Sequence, residues 1–244
     1  MATSSSSNAL KDKSAWQATA AEFIATLLFV FLGAGTVVTS AIIGGNNMSP
    51  ERLVAIALAH GLAIAVLVAA TARVSGGHIN PAVTVAAMVT RKMSLIKGLM
   101  YIVGQLVGAV VGAYLLAAVV PADSQGQLGA HALGTGVAPA AGLVAEMVVT
   151  FALVFVVFAT AMDPAGPTHL APFAIGITVL VDHLIAVPLT GASMNPARSF
   201  GPALAAGQWT DHWVYWIGPL AGGIVAGVIY QALFTQKEDS PKAT

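Results

Sequence analysis

Apolar residues run through this chain in long unbroken stretches, with neither the alternation of a half-buried strand nor the one-sided stripe of a soluble helix. Six stretches, 18–42, 53–72, 95–120, 140–162, 170–189 and 213–234, are long enough to cross a bilayer. Its hydrocarbon core is about 30 Å thick and takes roughly 20 helical residues. They are continuous and rich in Ala, Leu and Gly, so they read as helices and not as barrel strands. The first is too long for a signal peptide, carries Glu22 and ends in no convincing cleavage site. The pattern predicts an all-α, multi-pass membrane protein.

Two more apolar segments, 81–89 and 196–204, are too short to span. Each follows a Gly-containing loop and opens with the same tripeptide, Asn80-Pro81-Ala82 and Asn195-Pro196-Ala197. Asn is a preferred helix cap, and Pro fits the first helical position, where its missing N–H is not needed. Both segments therefore read as half-length helices.

The two halves of the chain repeat each other. Ala21-Glu22 and Thr26 return as Ala145-Glu146 and Thr150, Asn80-Pro81-Ala82 as Asn195-Pro196-Ala197, and Tyr101, Gly104 and Gly108 as Tyr215, Gly218 and Gly222. The offsets of 124, 115 and 114 residues put the drift in loops. An odd number of spans per half makes the second copy enter the membrane from the opposite side. Interrupted segments at matching positions of an inverted repeat point to a pathway near the midplane. Backbone of that kind is tolerated at membrane depth only where protein buries it or it lines a wet cavity.

Composition narrows the function. Residues are 57% hydrophobic and 8% charged, against about 25% charged in soluble domains. Ten basic and ten acidic residues balance to zero net charge, which gives no reason to expect a nucleic-acid partner. The absence of Cys removes disulfides, thiolate nucleophiles and iron–sulfur clusters. The six His are scattered, so no metal site, cofactor or catalytic residue is expected. Eight of the ten basic residues fall on one side of the predicted spans, with Arg52 and Arg198 on the other. By the positive-inside tendency both termini are cytoplasmic. Segment 1–14, rich in Ser, and segment 236–244 read as disordered cytoplasmic tails around a membrane domain over 15–235, its repeats over 15–120 and 140–235.

Paired Asn-Pro-Ala motifs with this repeat around them resemble the aquaporin family of major intrinsic proteins, plant type, over about residues 15–235. The resemblance implies an aquaporin-like hourglass: six transmembrane helices, two re-entrant half-helices meeting in mid-membrane, and a homotetramer with one pore per subunit in the lipid. It implies that Asn80 and Asn195 line the pore, and that Glu22 and Glu146 accept hydrogen bonds from the loops carrying the half-helices. Facing helix N-termini would each bring about half a positive charge to the pore centre, opposing cations and proton relay.

The family's outer constriction maps by spacing onto His60, His183, Ala192 and Arg198. His131 matches a fifth filter position of vacuolar members. A His-His-Ala-Arg set mixes vacuolar and plasma-membrane types and resembles the small plant subfamily of hybrid intrinsic proteins, so either membrane is a candidate location. Ser199, Ala203, Tyr215 and Trp216 match water-selective members. The implied function is passive single-file water conduction that excludes ions and protons. The alternative is a broader channel for ammonia, hydrogen peroxide, urea or glycerol.

Two side chains fit less neatly. Asp182 lies beside His183, but adjacent helical residues diverge by about 100°, so it is expected to face a loop or neighbour; contact with His183 would make conduction pH-dependent. His169, in the fourth connection, is a weaker candidate for a pH sensor. Asn47-Met48-Ser49 fits a glycosylation acceptor, though Pro50 follows it.

Overall fold

The structure is a computed structural model that describes residues 6–235. Its order is α1 (Lys13–Gly44), α2 (Pro50–Thr71), α3 (Pro81–Val89), α4 (Leu95–Val119), α5 (Pro139–Val157), α6 (Ala171–Thr190), α7 (Pro196–Ala206) and α8 (Val214–Leu233), with no strand among the described residues. A π-helical turn, Phe158–Met162, extends α5. Six of these helices are long and apolar enough to span a membrane. Helices α3 and α7 are the two short ones, beginning at Pro81 and Pro196 as the capped tripeptides predict.

Helix α1 packs on α4, and α5 on α8 in the same way, while α2 packs on α6 where the repeats meet. Each half-helix crosses over, α3 lying against α8 and α7 against α4. Small residues make this closeness possible, as expected where lipid is no less apolar than a side chain and association rests on tight packing. At Gly176 of α6 an added Cβ would stand 2.5 Å from the Gly61 carbonyl oxygen of α2. The α2–α6 seam is thus a backbone-to-backbone contact.

Within the segment expected to be a tail, Ser6–Lys11 forms a 3₁₀ helix, and α1 begins at Lys13. The cause is local: Asp12 caps α1 by accepting from the Ser14 N–H at 2.9 Å, and the Trp16 indole donates to the Leu10 carbonyl at 2.9 Å. Residues 1–5 and the expected tail 236–244 lie outside the described residues.

On the side that carries the chain termini, the π-helical turn hands over to Asp163. Its carboxylate accepts from the Ala165 N–H and the Tyr230 hydroxyl, each at 2.9 Å, and these bonds hold it below the usual carboxylate range.

Candidate functional site

Asn80 caps α3 by accepting from the Ala82 N–H at 2.8 Å, and Asn195 caps α7 by accepting from Ala197 at 3.0 Å and Arg198 at 3.2 Å. Capping fixes each amide, but the Nδ2 groups do something the tripeptides alone do not reveal. Asn80 donates to the Met194 carbonyl at 2.8 Å and Asn195 to the Ile79 carbonyl at 2.9 Å, so each motif is tied to the loop of the other repeat. Both acceptor residues have left-handed backbone, with φ of 56° at Ile79 and 52° at Met194. An amide NH₂ has two hydrogens. One is spent across the repeat and one is left for the cavity that Asn80 and Asn195 both line.

The buried acids hold these loops. Glu22 accepts from the Ser75 hydroxyl (2.6 Å), the His78 and Ile79 N–H groups (2.9 and 2.5 Å) and the Gln105 amide (2.8 Å). Glu146 accepts from the Thr190 hydroxyl (2.6 Å) and the Ser193 and Met194 N–H groups (2.9 and 2.8 Å). Backbone N–H groups that would otherwise be orphaned at membrane depth are thereby satisfied.

Between the two Asn residues and His183 runs a narrow cavity with about 30 Å³ open to the centre of a water-sized sphere. A single water needs about 10–15 Å³ by that measure. Phe29, Ile64, Leu153, Val157 and Val179 give it an apolar wall, and His78, Asn80, His183 and Asn195 supply the polar groups. Gly77, His78, Val83, Val157 and Ile175 also line a wider vestibule of about 380 Å³ on the side of the termini.

Beyond His183 the side chains close in. The His60 and His183 rings stack with centroids 4.2 Å apart. Each donates from Nδ1 to a carbonyl one turn back, Ile56 at 2.9 Å and Val179 at 2.8 Å, which fixes both tautomers and leaves Nε2 as an acceptor. His60 Nε2 accepts from Arg198 Nε at 3.3 Å, while His183 Nε2 has no partner among the described residues. Arg198, 1% exposed, also donates from Nη1 to the Gly129 carbonyl at 2.8 Å. Three of its five N–H groups remain.

The structure thus places His60 against both His183 and Arg198. Ala192 sits in the loop before α7, buried and at φ 62°. His131 reaches in from the connection between α4 and α5, its Nδ1 2.8 Å from the Ser199 hydroxyl and its ring against Tyr215. Burial, with Arg198 nearby, pushes its imidazole well below the ordinary histidine range, so it is neutral at physiological pH. Asp182 is buried, makes no hydrogen bond to His183, and has a carboxylate oxygen without a partner.

The cross-repeat Asn bonds and the His60–His183 stack escape sequence reasoning. The first joins residues 114 and 116 apart in sequence, and the second joins two spans.

A narrow cavity between two opposed half-helix N-termini, closed by an arginine and two imidazoles, defines a membrane channel. The family model for "Major intrinsic protein" matches residues 9–230, and the chain belongs to that family. Aquaporin TIP4-4 of Zea mays is 47% identical over 89% of this chain and 86% of its own length. Aquaporin-4 of Mus musculus is 45% identical over 90% of this chain and 68% of its own. The aquaglyceroporin from Plasmodium falciparum shares the fold, with a TM-score of 0.79 at 22% identity over 90% of this chain and 96% of that one.

Proposed function

We infer that the protein is a passive channel conducting water in single file across a membrane while excluding ions and protons. The observation that carries this is the pair of Asn amides, each held by the opposite repeat and each keeping one N–H for a cavity that admits water one molecule at a time. A water that accepts from both amides has its own hydrogens directed outward along the file, which interrupts proton relay. The two helix N-termini oppose cations at the same point.

In this reading His60, His183, Ala192, Arg198 and His131 form the selectivity filter. Supporting it are the three N–H groups left on Arg198 and the unpartnered Nε2 of His183, a donor set and an acceptor in one constriction. The His-His-Ala-Arg set supports a likeness to the hybrid intrinsic proteins. Both termini are cytoplasmic, in a vacuolar or plasma membrane, and four copies assemble with one passage each. Apolar side chains exposed on the outside of the bundle, such as Ile24, Val66, Val148 and Ile185, suit lipid or neighbouring subunits.

The free His183 acceptor favours a second reading, passage of ammonia beside water, with hydrogen peroxide, urea and glycerol as further permeants of a broader channel.

Stopped-flow shrinkage of proteoliposomes tests both readings, with glycerol and ammonia uptake measured on the same vesicles. Fast, weakly temperature-dependent water flux without glycerol flux is expected. Water flux no greater than in empty liposomes over a pH series overturns the first reading, and absence of ammonia flux overturns the second.

A further inference from the structure

Gly33, in the middle of α1, is a helical residue with no positive φ, so its backbone has no need of glycine. Alanine would be the better helix former. What requires glycine is the His60 ring: a Cβ at position 33 would stand 2.6 Å from His60 Nε2 and 2.8 Å from Cδ2. One turn earlier, Phe29 meets the same ring edge-on at a centroid distance of 5.7 Å. The ring is therefore seated in a recess of α1 formed by residues four apart on one face.

Neither side of this contact has slack. Helix α1 cannot back away, because Val30 and Ala34 are fully buried against α4 and Gly129 lies so close that a Cβ there would be 3.0 Å from the Ala34 Cα. On the lumen side the ring already stacks on His183 and accepts from Arg198.

We propose that Gly33 is a positioning residue of the filter: the missing side chain lets the His60 ring withdraw against α1, and so sets the width of the passage at His60, His183 and Arg198. The residue at position 33 then governs selectivity together with the one at position 60. This rests on the water-channel reading above.

The test is a four-way comparison of wild type, Gly33→Ala, His60→Ala and the double variant in proteoliposomes, with water and urea flux, circular dichroism and gel filtration on each. Because packed interiors feel even one added methyl, Gly33→Ala is expected to lower water flux on the order of tenfold by driving the ring into the lumen. His60→Ala is expected to raise urea flux, and adding Gly33→Ala to it should change either flux by less than about twofold, since no ring remains to be displaced. A Gly33→Ala protein that fails to fold while the double variant folds and conducts also supports the contact. Gly33→Ala flux equal to wild type, an equal loss in the His60→Ala background, or misfolding of both Gly33→Ala variants overturns the proposal. A wild type without water flux would instead strike the water-channel reading.

Discussion

The two repeats solve the same problem with different completeness. In the first, Glu22 has four donors, the Tyr101 hydroxyl reaches the Ser75 carbonyl at 2.7 Å, and Thr84 is met by the His78 ring and by the Gln105 amide, each at 3.1 Å. In the second, Pro219 stands where Gln105 would be, so Glu146 has three donors. Tyr215, the counterpart of Tyr101, keeps a buried hydroxyl without a partner among the described residues, as does Thr150, the counterpart of Thr26. Ser199 occupies the place of Thr84, and its outside partner is His131, reaching in from the connection between repeats. A loop histidine thus does for α7 what a helix-borne glutamine does for α3. The better-tied loop is that of the first repeat; the other carries Ala192 and leads into Arg198 in the first turn of α7.

That asymmetry can be broken in graded steps. Glu22→Ala is expected to be the most damaging change, because it orphans the His78 and Ile79 N–H groups, at about 1–3 kcal/mol each, and leaves the Gln105 amide with Thr84 alone. Glu146→Ala leaves one donor fewer without its acceptor and should leave a higher melting temperature in detergent than Glu22→Ala does. Next comes Arg198→Ala, expected to act mainly on selectivity: urea flux in proteoliposomes should rise roughly tenfold while water flux persists. Substitutions at the hydroxyl partners are milder. His131→Gln, which can still hydrogen-bond Ser199, should hold within about 1 kcal/mol of wild type, and His131→Leu should fall below it by about 1 kcal/mol or more, read by thermal unfolding.

Smallest is a pH effect. The folded protein keeps His131 neutral well below its ordinary pKa, whereas the unfolded chain takes up a proton below about 6.5. Burial therefore carries no proton-linked penalty above that pH and a growing one as pH falls from it toward the depressed folded value. Melting temperature should drop less steeply between pH 6.5 and 5 in His131→Gln than in wild type, and equal slopes would contradict the assignment.

Much of the architecture was legible because bilayer thickness dictates run length. The predicted span 95–120 is observed as Leu95–Val119 and 140–162 as Pro139–Met162, and α3 begins and ends where its cap and its apolar run do. Helix α1 starts five residues before the predicted 18, since the polar first turn of a capped helix adds nothing to an apolar run. The repeat made Glu22 and Glu146 conspicuous as paired acids, and Arg198 stood out as a charge in an apolar setting. What stayed hidden were contacts between distant segments that leave no periodic trace. Gly33 looks like any membrane-helix glycine until the His60 ring is placed against it. His131 gives no sign in sequence of Ser199, 68 residues away. Asp182 ends in a buried position, one carboxylate oxygen meeting no partner among the described residues.

The exchange of amide bonds between Asn80 and Met194, and between Asn195 and Ile79, bears on how the molecule is made. A ribosome delivers the first motif more than a hundred residues before the carbonyl that receives it, so a nascent chain holds α3 in the membrane with its tip unfinished. Closure waits for the last third of the protein, and a chain halted in between carries an exposed polar loop at membrane depth, where such groups cost several kcal/mol. Loss of the chain from Met194 onward would therefore remove at one stroke the acceptor of Asn80 and the donor to Ile79.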